Sequence, residues 1–176
     1  MKTIVGFTIA ILLTSCGKKP ETVTTVPAAA APSPALSKVL SATPAGTPVA
    51  IHTARSTAKP GETITLSGKI MGNASPFVAG RAAFILGDPE LITPCNEMPG
   101  DTCETPWDAC CDTPEKKKQG TATIQVVDAE GRALKEPLEG VGGLANLAKV
   151  TVTGTVAKES TADLLLVNAT AIQAGK

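Results

Sequence analysis

Apolar and polar positions alternate along three stretches of the chain, and that period of two predicts half-buried strands. Residues 63–70 read Thr-Ile-Thr-Leu-Ser-Gly-Lys-Ile, 121–127 read Thr-Ala-Thr-Ile-Gln-Val-Val, and 149–156 read Lys-Val-Thr-Val-Thr-Gly-Thr-Val. Two further strands are predicted at 81–86, closed by Gly87-Asp88-Pro89, and at 163–172. Between the third and fourth strands, 143–148 predicts a short helix with Leu144 and Leu147 on one side.

The resulting order, β-β-β-α-β-β, predicts an all-β domain with one short helix, built as a five-stranded OB-like barrel. A β-sandwich carrying one helical turn is the alternative. Gly68 and Gly154 interrupt otherwise regular strand patterns, where glycine marks a bulge or a sharp bend of the kind a small barrel needs to close. The expected core is aliphatic: Ile64, Leu66, Ile70, Phe84, Ile124, Val126, Leu144, Leu147, Val150, Val152, Leu165 and Val167.

Ahead of this domain the pattern changes twice. Met1-Lys2 is followed by an apolar run over residues 4–13, about half the ~20 residues a spanning helix needs. Leu13-Thr14-Ser15-Cys16-Gly17 then resembles the lipobox of bacterial lipoprotein signal peptides. The resemblance implies a signal peptide over 1–15, cleavage before Cys16 and acylation of that cysteine. Two or more acyl chains anchor stably where one does not, so the expected partner is a membrane, held through the lipid at Cys16. The expected location is the cell envelope, on the periplasmic face of the outer membrane in a Gram-negative cell because Gly17 is not aspartate. A Cys16→Ser chain is expected to stay unprocessed and to take up no fatty-acid label, as precursor size and lipid labelling would show. Residues 16–48 are rich in Ala, Pro, Thr and Ser and broken by six prolines, which predicts a flexible tether. Residues 49–176 remain for a single domain.

Composition narrows the functions open to it. From Arg55 onward the domain has twelve Lys and Arg against fifteen Asp and Glu, with one Trp, two Phe and no Tyr. A nucleic-acid binder wants a basic face and aromatic platforms, and this chain has neither. His52, the sole histidine, reads as an edge residue near the start of the domain. Gly140-Val141-Gly142-Gly143-Leu144-Ala145 loosely matches a dinucleotide fingerprint, but no βαβ unit surrounds it. No motif calls for an enzyme or a cofactor.

Residues 88–118 form a long loop between the second and third strands and contain the other four cysteines: Cys95, Cys103, Cys110 and Cys111. From 88 to 115 the loop has eight acids and no Lys or Arg, then Lys116, Lys117 and Lys118 follow. An even cysteine count in an exported chain points to two structural disulfides. Adjacent Cys110 and Cys111 bond each other only with strain, which favours pairs to Cys95 and Cys103. The alternatives are thiolate ligation of a metal, with Met98 as a soft donor toward copper(I), and redox exchange through a strained bridge. The spacings lack a Cys-x-x-Cys knuckle, and the acids lack the regular series of a calcium loop, so the sequence points to no metal.

The words Pro99-Gly100-Asp101-Thr102-Cys103-Glu104 and Thr105-Pro106-Trp107-Asp108-Ala109-Cys110-Cys111 resemble a group of small exported and lipid-anchored bacterial proteins sharing a Pro-Trp-Asp-x-Cys-Cys element. The resemblance spans residues 61–172 and implies no particular reaction. The expected function is therefore a non-enzymatic binding or structural module of the envelope. Its loop, with Asp101, Glu104, Trp107, Asp108 and Asp112, would face a protein or glycan partner. A metal-binding or thiol redox module is the alternative.

Overall fold

A computed structural model describes residues 31–175. The lipobox at Leu13–Cys16, the signal peptide and the tether up to residue 30 lie outside the described residues. Among those described, no helix is long and apolar enough to cross a membrane.

Five strands close into a barrel in the order β1-β2-β3-β5-β4. They are β1 (Thr63–Ile70), β2 (Ala83–Gly87), β3 (Thr121–Gln125), β4 (Lys149–Val156) and β5 (Leu166–Ala174). All pairs are antiparallel except β3 with β5, which run parallel. This is the OB-like barrel expected from the element order, and the sandwich alternative falls away. Strand β1 pairs with β4 from Thr63 to Lys69, and it meets β2 at only two positions, Lys69 with Gly87 and Ile70 with Leu86. Gly68 sits where β1 bends into that second pairing. A Cβ there would lie 2.5 Å from the Gly87 carbonyl oxygen, so only glycine lets the strands approach. Gly154 marks the β4–β5 register shift in the same way.

Ten of the twelve expected core residues are buried in one cluster. Ile64 packs against that cluster half-covered, and Leu147 belongs to a second, smaller one.

The helix expected at 143–148 does not form. Gly142 and Gly143 have φ of 59° and 83°, and Leu147 has φ of 66°, all left-handed. A right-handed helix requires negative φ. The segment's backbone groups bond β1 instead: Leu147 N–H donates to the Ile70 carbonyl at 2.9 Å, and Ile70 N–H to that of Ala148 at 3.0 Å. Pairing with a strand end outcompetes one isolated helical turn, whose nucleation is costly.

The chain's helical cap comes from an unexpected place. Residues 31–48, read as tether, belong to the folded unit. Pro34–Ser41 form α1, with Ser33 as N-cap accepting from Leu36 N–H at 3.2 Å and Pro34 in the first turn. Leu36 is fully buried and Val39 nearly so, both in the barrel core. Glu136 accepts from the Ser33 backbone N–H at 3.0 Å, fixing the helix start to the β3–β4 connection. Leu40 lies over Gly142, where an added Cβ would come within 3.3 Å of it. Six prolines suggest a broken segment, whereas Pro34, in the first helical turn after Ser33, is a start signal.

Beyond α1 the chain stays attached. Thr65 and Thr153 are buried, and their hydroxyls meet at 2.8 Å. Ala45 N–H donates to Thr153 Oγ1 at 2.9 Å, and both hydroxyls donate to the Ala45 carbonyl. Val49 N–H donates to the Thr65 carbonyl at 2.9 Å. A second helix, α2 (Ile51–Thr57), buries Ile51 and Ala54 against the barrel.

Candidate functional site: the cysteine loop

The loop leaves β2 and returns to β3 through a closed neck, where Asp88 N–H donates to the Gly120 carbonyl at 2.8 Å. Asp88 is buried, and each of its oxygens has a donor. Oδ2 accepts from the His52 backbone N–H at 3.0 Å and lies 2.7 Å from His52 Nδ1, while Oδ1 accepts from Glu90 N–H at 2.9 Å. Burial pushes this carboxyl up, but the backbone bonds from His52 and Glu90, with the imidazole beside it, outweigh burial and leave it below the usual range. His52 is thus more than an edge residue: it docks α2 onto the loop neck. Glu90 lies near the pair.

The sign of the pH effect follows. A carboxyl whose folded pKa lies below the unfolded value (~3.9) contributes stability that is fully present above that value. The contribution is lost as pH falls through the folded pKa. The Asp88→Asn chain is expected to be less stable at pH 7 by roughly 1.5–3 kcal/mol, the range for buried bonds to a charged group. Its melting temperature should also fall less steeply than the parent's below pH 4, as a pH series of thermal melts would show. Equal slopes would mean that Asp88 contributes no charge-dependent stability.

Inside the loop, a 3₁₀ turn at Cys95–Glu97 lies against residues 106–108. Cys95 N–H donates to the Asp108 carbonyl at 2.7 Å, and Asn96 N–H to that of Pro106 at 2.9 Å. A short helix, α3 (Pro114–Gln119), capped by Thr113, leads into β3. Met71, Ile92 and Ala109 form a small core beneath the loop, and Trp107 and Leu147 pack against it. Trp107 is half-buried and held at both ends. Its Nε1–H donates to the Ala74 carbonyl at 2.9 Å, and its own carbonyl accepts from Gly72 N–H at 2.9 Å.

Of the acids expected to face a partner, three are used within the loop. Asp101 accepts from Cys103 N–H at 3.1 Å, Asp108 from Ala109 N–H at 2.7 Å, and Asp112 from Thr93 N–H at 2.8 Å. Glu104 is exposed.

This framework converges three sulfurs. Cys110 Sγ lies 3.3 Å from Cys95 Sγ and 3.5 Å from Cys103 Sγ. Cys111 Sγ stands 3.9 Å from that of Cys110, outside the mutual three-thiol group. All four are free thiols in this structure, with Cys95 buried, Cys103 half-buried and Cys110 and Cys111 exposed. Burial lifts the Cys95 thiol above its ordinary value, its neighbours Cys110 and Cys103 adding smaller opposing effects. The Asp101 carboxylate, then Cys110 and Cys95, lift that of Cys103. Both therefore hold protons at neutral pH until something displaces them.

The convergence could not be read from spacing. Seven residues separate Cys95 from Cys103 and six separate Cys103 from Cys110. It depends on the fold-back that sets Cys95 beside Asp108. The His52–Asp88 pair was hidden for the same reason, being 36 residues apart.

Comparison with protein-family models, with curated proteins and with solved structures finds no match for this chain.

Proposed function

We propose that this chain is a lipid-anchored, non-enzymatic binding module of the cell envelope, whose OB-like barrel holds a zinc ion through Cys95, Cys103 and Cys110. The anchor and its membrane rest on the lipobox ending at Cys16. The metal rests on one observation: three free thiols from separate turns of the loop share one small space, centred on Cys110.

Zinc suits the donor set. Thiolates hold it at about 2.3 Å in a tetrahedron, which places sulfurs a few tenths of an ångström further apart than these two pairs. The ion would supply the positive charge that converts raised-pKa thiols to thiolates. The fourth position would fall to water or to Asp101, whose carboxylate accepts from the Cys103 N–H. Cys95 lies out of water in the core under the loop, while Cys103 is half-buried and Cys110 exposed, which leaves an ion a path in from the surface.

The test is a thiol count and metal analysis on protein purified without reductant or chelator. One zinc per chain is expected, lost in Cys110→Ser and kept in Cys111→Ser. Binding releases protons, so apparent affinity should rise with pH through the neutral range, close to tenfold per unit for each proton displaced. Zero free thiols with no metal would replace this reading with two structural disulfides.

A further inference from the structure

A cleft of about 240 Å³ opens beside the cysteine loop and is built by three separate segments of chain. Ala74, Ser75, Pro76 and Phe77 come from the β1–β2 connection, Trp107 from the cysteine loop, and Glu139 and Asn146 from the β3–β4 connection. We propose that this cleft is a binding subsite for a single neutral sugar ring of a glycan.

Its chemistry narrows the ligand. No Lys or Arg lines it, so it offers no partner to a phosphate or carboxylate. Its volume is below the ~300–1,000 Å³ of sites for drug-sized ligands, which suits one ring. Trp107 is the chain's sole indole, and the Ala74 bond fixes its plane. A held, half-exposed indole gives the apolar face of a pyranose a flat surface without the cost of ordering a side chain.

The decisive polar group is Asn146. Its Oδ1 is buried and has no hydrogen-bond partner among the described residues. An unpaired buried acceptor is costly and calls for a donor. Turning that amide toward the cleft to meet a ligand hydroxyl recovers the lost bond. A hydroxyl both donates and accepts, so it suits either orientation of the amide. The exposed Glu139 carboxylate adds a second acceptor for ring hydroxyls.

Because Trp107 is the sole indole, its emission reports the site directly. The full chain, in a detergent without a sugar headgroup, is titrated with methyl glycosides of glucose, galactose and mannose and with N-acetylglucosamine. A saturable change in emission with at least one is expected, weakened tenfold or more in Asn146→Ala and several-fold in Glu139→Gln. Asn146→Ala should keep one zinc per chain by metal analysis while losing the sugar response, which separates this site from the zinc site. Three outcomes overturn the proposal: no saturable change with any of the four sugars, a change that Asn146→Ala leaves intact, or a response to tetramethylammonium alone. The last would make the cleft a cation cage.

Discussion

A chain beginning at residue 49 is expected to lose its cooperative melt, or to melt roughly 6–20 °C below a chain beginning at residue 31. The difference lies in α1 and the segment after it. Leu36 is fully buried and Val39 nearly so, and each such side chain contributes roughly 1.5–3 kcal/mol by leaving water. Thr65 and Thr153 lose their shared bonds to Ala45, each worth ~1 kcal/mol net, and turn to each other or to water. Part of the gain is offset by the entropy of ordering the segment. A net loss of about 3–5 kcal/mol is a large share of the 5–15 typical of a domain. At roughly 2–4 °C per kcal/mol, that loss gives the expected shift. Leu36→Ala isolates the packing component and should cost ~2–5 kcal/mol by itself. Thermal melts of the three chains decide it. Coincident melts would return residues 31–48 to the role of a spacer.

The second large effect is expected at Gly154. A Cβ added there would lie 2.5 Å from the Asn168 carbonyl oxygen, 2.7 Å from Val167 Cγ1 and 2.9 Å from Ala169 Cα. Two of those three atoms are backbone, so relief requires β4 and β5 to separate at their register shift. Core overpacking costs ~1–3 kcal/mol where side chains can yield, and more where backbone must move. Gly154→Val should therefore cost ~3 kcal/mol or more and melt several degrees lower. Gly175→Ala is the control, because its Cβ would meet Lys149 at an ordinary 3.4 Å. Equal melting of the two variants would show that the bulge absorbs the side chain. Gly68 faces the same constraint against Gly87 and should behave alike.

The loop and the N-terminal segment share a physical feature. Each is positioned by partners distant in sequence, although Leu36, Val39 and Leu40 give α1 a helical spacing of its own. Thr93 is positioned by Asp112, Gly72 by Trp107, and α1 by Glu136 and Gly142. The acids of the loop illustrate the consequence. A run of eight without a basic residue reads as a charged surface for a partner, yet Asp88, Asp101, Asp108 and Asp112 accept bonds from the loop's own backbone. The carboxylates supply acceptors where the loop's turns leave N–H groups without a strand or helix partner.

From its sequence alone, this protein's barrel was legible. Alternation of apolar and polar residues in β1, β3 and β4 marks the inward set of side chains, although Thr65 and Thr153 on the outer face are also buried, beneath the segment around Ala45. Gly68 and Gly154 mark where strands approach too closely for a Cβ, and the order of the strands favours a five-stranded barrel over the sandwich alternative. The presence of a thiol loop was legible too, as an even set of cysteines in a segment without period. Tertiary structure alone decided which thiols meet, that His52 pairs with Asp88, and that Pro34–Ser41 caps the barrel in place of a helix at 143–148. A strand's period is local and repeats every two residues. A fold-back and the His52–Asp88 hydrogen bond are set by contacts across 15 and 36 residues, which no local pattern records, and the docking of α1 by one across 103.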